Sequence, residues 1–140
     1  MRSPAGGSAG SHVRRNRQVI RYTIPHNKML PALKGVPIVV LTSQTTHSAG
    51  ELFAIVMQAH RRATVIGMPS AGNVEMVQDF RLPDGSLLWL AVGHYFAPDG
   101  RPMENLGVRP DVVIAANWWR YSLSDDPHIQ RAARVLQSLR

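Results

Sequence analysis

Apolar positions change their spacing several times along this chain, and each change marks an element. From Val36 to Leu41, VPIVVL is a short unbroken apolar run rich in β-branched residues. That is how a strand covered on both faces of a parallel sheet reads. A polar loop, TSQTTH, follows, and apolar residues then recur at Leu52, Ile55, Val56 and Ala59, with Phe53, Ala54 and Met57 filling the other side. This spacing predicts a helix buried nearly all round. ATVIG, from Ala63 to Gly67, is again β-branched and apolar. The three segments together predict a β-α-β unit with parallel strands and a right-handed crossover.

Beyond MPSAGN the pattern shortens to alternating runs separated by turns. PDG occurs at Pro83–Gly85 and again at Pro98–Gly100, where proline fixes one turn dihedral and glycine accepts positive φ. QDFRL and SLLWLAVGHYF are therefore expected to pair as a hairpin with a long second arm, and PDVVI (Pro110 to Ile114) to add a last strand. In the tail, Asp126 reads as an N-cap and Pro127 as the first helical residue, while Ile129, Ala132, Ala133, Leu136 and Leu139 keep helical spacing. An amphipathic docking helix is the expectation. Residues 1–35 are rich in Gly, Ser, Pro and Arg; only QVIRYTI (Gln18 to Ile24) alternates as a strand would, and the rest reads as loop. The expected division is a Gly/Arg-rich leader over 1–35 and a folded domain over 36–140.

With 140 residues, 44% of them hydrophobic and 18% charged, the chain has the size and composition of one globular domain. No apolar run approaches the ~20 residues that a membrane span needs, and the basic start lacks the apolar stretch of a secretory signal. The absence of cysteine excludes disulfides, thiolate metal sites and a cysteine nucleophile. A net charge of +7 would suit a nucleic-acid binder. Arg14, Arg15, Arg17 and Arg21 cluster, but the other arginines are scattered without interleaved aromatic residues, so no specific nucleic-acid partner is expected. The histidines lack ligand spacing, and neither a metal nor a cofactor is expected.

Ser48 is the focus of the candidate chemistry. Ser48-Ala49-Gly50-Glu51 fits a capping box, in which serine and glutamate satisfy helix-terminal N–H groups reciprocally. Its position supports a second reading. Ser48 lies on the loop leaving the carboxyl end of a parallel strand, where ligands bind in open α/β sheets. The Ala49 N–H, at a helix N-terminus, is suited to holding an oxyanion.

LTSQTTHSAGELFAIVMQAHRRATVIGMPSAGN, followed by LPDGSLLWLAVGHYFAPDGRPMENLGVRPDVVI, resembles the C-terminal processing peptidases, or tail-specific proteases. It is most similar to their branch containing the tricorn core protease and the interphotoreceptor retinoid-binding protein. The resemblance covers about residues 36–114 and continues in DDPHIQRAARVL. It implies a crotonase-like α/β fold with a β-α-β core, an antiparallel hairpin and a C-terminal helix. It also implies a serine-type peptidase that cleaves peptide or protein substrates through an acyl-enzyme on Ser48. Ala49 would then supply an oxyanion N–H. Asn73 falls where the processing peptidases carry a lysine base, and asparagine cannot take up a proton at neutral pH. In the tricorn-like branch the base is an upstream histidine, with a glutamate before the GVxPD element; Glu104 in MENLGVRPD matches that glutamate as an orienting acid. MRSPAGGSAGS resembles the end of the family's LRxNxGG loop, so Gly6 or Gly7 would complete the oxyanion hole. On this reading the chain is the C-terminal part of a longer protease domain, with little or no activity by itself.

The remaining candidates read as structural. His47 is a loop histidine, His60 ends a helix, His94 lies on a strand, Glu51 is a capping partner and Asp111 sets the last strand. Trp118 and Trp119 are expected in the core, and Met103 along a substrate cleft. Two other classes stay open: a non-catalytic ligand- or protein-binding module of the same fold, and an interaction piece. A missing preceding strand would leave a sheet edge exposed and favour association with partners or with further copies. No compartment is implied.

Overall fold

A computed structural model describes residues 7–25 and 33–139. In chain order the elements are β1 (Ser8–Arg14), β2 (Val19–Thr23), β3 (Val39–Thr42), α1 (Ala49–Ala59), β4 (Thr64–Gly67), β5 (Met76–Arg81), β6 (Leu87–Phe96), β7 (Val112–Val113) and α2 (Pro127–Ser138). A 3₁₀ turn, Trp118–Arg120, precedes α2. The strands form two sheets, one ordered β2-β1-β6-β5 and antiparallel throughout, the other ordered β3-β4-β7 and parallel.

The β-α-β expectation is met. β3 and β4 run parallel in register from Val39 opposite Thr64 to Thr42 opposite Gly67, with α1 as the crossover. α1 packs against β4, and α2 packs against β3 and β4. The main apolar cluster joins Ala54 and Ile55 of α1 to Val65 of β4, Tyr95 of β6, and Val74, Ala97, Met103 and Val108 from connecting segments. It therefore binds the parallel unit to the end of the antiparallel sheet. Each large buried side chain there contributes about 1.5–3 kcal/mol.

Polar groups fix the order of the strands. Asp111 accepts the Val65 N–H (2.7 Å) and the Gln58 amide (2.8 Å), tying β4, α1 and the entry to β7. Gly67 has φ +133, and a Cβ there would run into the Thr42 carbonyl oxygen, so β4 can leave the sheet this close to β3 only as glycine. At α2, the Asp126 carboxylate accepts the His128 N–H (2.7 Å), with Pro127 in the first turn, as the sequence indicates.

Several expectations need correction. Residues 8–14 form a strand, β1, where loop was expected; it pairs with β2 on one side and β6 on the other. Leu41 of β3 is exposed, so that strand is not covered on both faces, and Phe53 leaves α1 57% exposed on its outer side. Trp118 and Trp119 lie outside the core, edge to face with ring centroids 6.0 Å apart. Ala133 of α2 and the C-cap Leu139 beyond it are exposed, whereas His128 and Ala132 are buried. Met103, expected along a cleft, is fully buried in the apolar cluster. Among the described residues no helix is long and apolar enough to cross a membrane.

Candidate active site

β3 ends at Thr42, whose hydroxyl donates to the Met68 carbonyl (2.9 Å). The connecting loop is then held at both ends. Thr46 takes the Ser43 N–H on its hydroxyl (3.0 Å), and its carbonyl accepts the Ala71 N–H (2.9 Å). This delivers Ser48 to the start of α1 with φ 53 and ψ −124. A residue with a Cβ rarely adopts such a conformation, and where it occurs the surrounding structure imposes it, often at a functional site. The same sharp strand-to-helix turn presents the serine of nucleophile elbows.

The two readings of Ser48 can now be compared. Its side chain meets the Glu51 N–H in the arrangement of a capping box, but that N–H is taken by the Ser48 carbonyl (2.9 Å) and no side-chain cap hydrogen bond forms. Ser48 is exposed. The Ala49 N–H, also exposed, has no partner among the described residues. The exposed Ser48 thus adjoins an unpaired amide at a helix N-terminus, where the macrodipole favours negative charge.

Glu51 does more than cap. It is 0% exposed, and its carboxylate is filled: Oε1 accepts the Ser70 hydroxyl (2.6 Å) and the Gly72 N–H (2.7 Å), and Oε2 accepts the Asn73 N–H (2.9 Å) and the Ser48 N–H (3.1 Å). Ser70 in turn accepts the Val108 N–H (2.6 Å). Four donors on one buried carboxylate fix the Ser48 backbone relative to residues 70–73. The Ser48 N–H also reaches the Asn73 carbonyl (2.9 Å). The Asn73 side chain has no hydrogen-bond partner among the described residues.

Glu104 joins this region through its neighbour. The Asn105 N–H donates to the Gly72 carbonyl (2.9 Å), one residue from the Asn73 that holds Ser48. The Glu104 carboxylate oxygen Oε2 contacts Nδ1 of His94, a residue that sequence reasoning took as structural. The turn at Asp99 explains the meeting. Ala97 N–H donates to Arg101, Met103 N–H to Tyr95, and Phe96 faces Pro102. Every pair is equidistant from Asp99, as are His94 and Glu104. The second PDG turn was the available signal, because its centre dictates which flanking residues face one another.

Other candidates are dispersed. Gly7 lies against the His60 ring, and His60 caps the C-terminus of α1. That is the far end of the helix from Ser48, about 18 Å of helical rise. Gly7 is therefore not beside the Ala49 N–H; Gly6 lies outside the described residues. His60 Nε2 contacts the Ser8 carbonyl (2.6 Å), and His47 Nδ1 the Thr45 carbonyl (2.8 Å), both local structural contacts. A cavity of about 580 Å³ lies at the amino ends of β3 and β4, lined by Val36, Ile38, Arg62 and Thr64. It is remote from Ser48. A smaller cleft of about 270 Å³ borders the Ser48 loop at the carboxyl end of β3, between Leu41, Ser43, Thr46, Trp118 and Ile129.

The model of peptidase family S41 matches residues 6–114, most of the chain. The chain belongs to peptidase family S41. Among family relatives, it is similar to a carboxyl-terminal-processing protease of Picosynechococcus sp., 30% identical over 126 residues that make up 81% of this chain and 30% of the relative. The tricorn protease of Thermoplasma volcanium is 31% identical over 102 residues, 71% of this chain and 10% of the relative. The chain thus spans less than a third of either relative. In three dimensions it superposes on a photosystem II D1 C-terminal processing protease with a TM-score of 0.71 at 24% identity, over 91% of this chain and 31% of that one. Tricorn protease matches with a TM-score of 0.62 at 24% identity, over 93% and 12% of the two chains. Both share the α/β fold of this family member.

Proposed function

We propose that this chain is part of a serine peptidase domain that hydrolyses peptide bonds in peptide or protein substrates through an acyl-enzyme on Ser48. The observation that carries the reading is the exposed Ser48, held at φ 53 and ψ −124 at the start of α1 beside an unpaired Ala49 N–H. In the attack, the Ser48 oxygen bonds to the substrate carbonyl carbon and the carbonyl π electrons move onto oxygen. The Ala49 N–H and the helix terminus stabilise that charge. Glu51 keeps the Ser48 backbone in place and does not touch the reacting atoms. Glu104 is the acid that orients the proton-transferring group. The cleft beside Leu41 and Trp118 is the concave surface bordering this loop, suited to an apolar substrate side chain.

A binding module of the same fold is the competing reading, favoured by Asn73 in place of lysine. Covalent labelling with a fluorophosphonate separates the two. Peptide mass analysis is expected to place the phosphonyl group on Ser48, and Ser48→Ala is expected to abolish labelling. A folded native chain left unmodified would support the binding module.

A further inference from the structure

The antiparallel sheet, ordered β2-β1-β6-β5, ends in β2 on one side and β5 on the other. An edge strand carries N–H and C=O groups without partners in the sheet, and natural edges are blunted by charge, bulges or cover. At β2 the charge is of one sign: Arg21 lies in the strand, and Arg14, Arg15 and Arg17 lie where β1 turns back into it. A second such edge would be repelled. β5 is different. Every residue from Val77 to Arg81 is exposed, and its charges, Asp79 and Arg81, are opposite in sign and share one face of the strand. Neither joins a salt bridge among the described residues, and the Arg81 guanidinium reaches only the Gly85 carbonyl, at 3.5 Å.

The hairpin decides which backbone groups of β5 face outward. Leu82 donates its N–H to the Ser86 carbonyl across the turn (2.9 Å). Direction alternates along an antiparallel ladder, so Phe80 and Gln78 also turn toward β6, while Arg81, Asp79 and Val77 present N–H and C=O to the open edge. A bulge between Met76 and Val77 ends this regular stretch. A second copy arriving antiparallel on the same edge must set outward residues against outward residues. Centring the twofold on Asp79 or Arg81 opposes like charges. Centring it on Val77 or Gln78 leaves both charges without an opposite one inside the regular stretch. Centring it on Phe80 places Asp79 of each copy opposite Arg81 of the other.

We infer that β5 is a self-association edge whose occupant is a second copy of this chain, paired antiparallel about Phe80. The two Asp79–Arg81 pairs then exchange backbone hydrogen bonds as well as charge. Phe80 meets its counterpart at a non-hydrogen-bonded position, where side chains come closest. Within each copy Phe80 lies opposite Leu88, and Gln78 opposite Leu90. The twofold joins the exposed Phe80, Leu88 and Leu90 to their counterparts in one apolar strip. The product is a continuous sheet of eight strands, four from each copy. Because the contact is isologous, association through this edge stops at two copies.

Sedimentation velocity of the 140-residue chain and its charge variants tests this. The native chain is expected to form dimers whose fraction rises with concentration. Asp79→Arg and Arg81→Asp each oppose like charges at both pairs, and each is expected to weaken dimerisation about tenfold or more. In an equimolar mixture each variant supplies the charge the other lacks, and heterodimers of near-native strength are expected. Phe80→Lys is expected to lose the dimer without recovery in either mixture. Circular dichroism of all three variants is expected to match the native chain, because the positions are exposed. A native chain that stays monomeric or assembles beyond two copies overturns the inference. So do dimers indifferent to Asp79→Arg or Phe80→Lys, and charge variants that dissociate singly yet fail to recover when mixed.

Discussion

Glu51 shows how much one residue can organise. Taken with Ser48 it predicts a local capping partner, and that half is correct, since Oε2 accepts the Ser48 N–H. The other three donors come from Ser70, Gly72 and Asn73, about twenty residues onward, and nothing in local spacing announces them. A neutral amide at this position would place N–H against N–H and leave buried donors unpaired, each costing about 1–3 kcal/mol. Glu51→Gln is therefore expected to destabilise the chain by about 3 kcal/mol or more in urea unfolding. A loss under 1 kcal/mol would show that the carboxylate does not organise residues 70–73. Ser48 was legible because a short motif carries it. The His94–Glu104 contact was not, because it is set by hairpin register rather than by sequence proximity, and Gly7 was misplaced because its short Gly-Gly match has no register to check it.

At the level of elements, helices and the parallel unit follow from periodicity, capping and β-branching, whereas β1 does not. SAGSHVR has no alternation of apolar residues; it is a strand because β2 and β6 offer it hydrogen bonds on both edges. What secures it is polar. Tyr95 Oη donates to the Ala9 carbonyl (2.5 Å), and His12 is buried between Tyr22 Oη (3.0 Å) and the Val74 carbonyl (3.4 Å). Burial, with a smaller contribution from Tyr22, pushes the Tyr95 phenol up to about 12. The folded state therefore holds that proton more tightly than the unfolded chain does. Its contribution, about 2–3 kcal/mol, is complete below pH 10 and is lost as pH rises from 10 toward 12. Burial lowers the His12 pKa, despite an opposing hydrogen bond to Val74, so its contribution is present at neutral pH and is lost on acidification. Urea melts between pH 9 and 12 are expected to show the alkaline loss, and Tyr95→Phe is expected to flatten it. An unchanged slope in that variant would rule out the phenol as its source.

For the molecule as a whole, the two sheets differ in how they are covered. The parallel unit has helices packed on it, while the β5–β6 hairpin carries Val77, Phe80, Leu82 and the run Leu87, Leu88, Trp89 and Leu90 in exposed positions, Trp89 at 71%. Consecutive exposed residues on a strand lie on both of its faces, so no single face of this arm is shielded. Such a surface binds apolar probes and promotes association. Trp89→Lys is expected to reduce binding of an environment-sensitive apolar dye and to increase the soluble fraction at high protein concentration, with no loss in melting temperature. A substantial drop in melting temperature would instead place Trp89 in the stabilising core. The sequence disclosed the hairpin and its long second arm; it gave no sign of the missing cover, because alternation identifies strands and does not count the layers above them.

The backbone at position 48 has one more implication, for how such a chain can evolve. A side chain with a Cβ is uncomfortable at φ 53 and ψ −124, and glycine adopts that geometry freely. Random change that improves thermal robustness therefore favours glycine at position 48, and under the proposed reading of Ser48 as nucleophile selection for reactivity has to oppose it generation after generation.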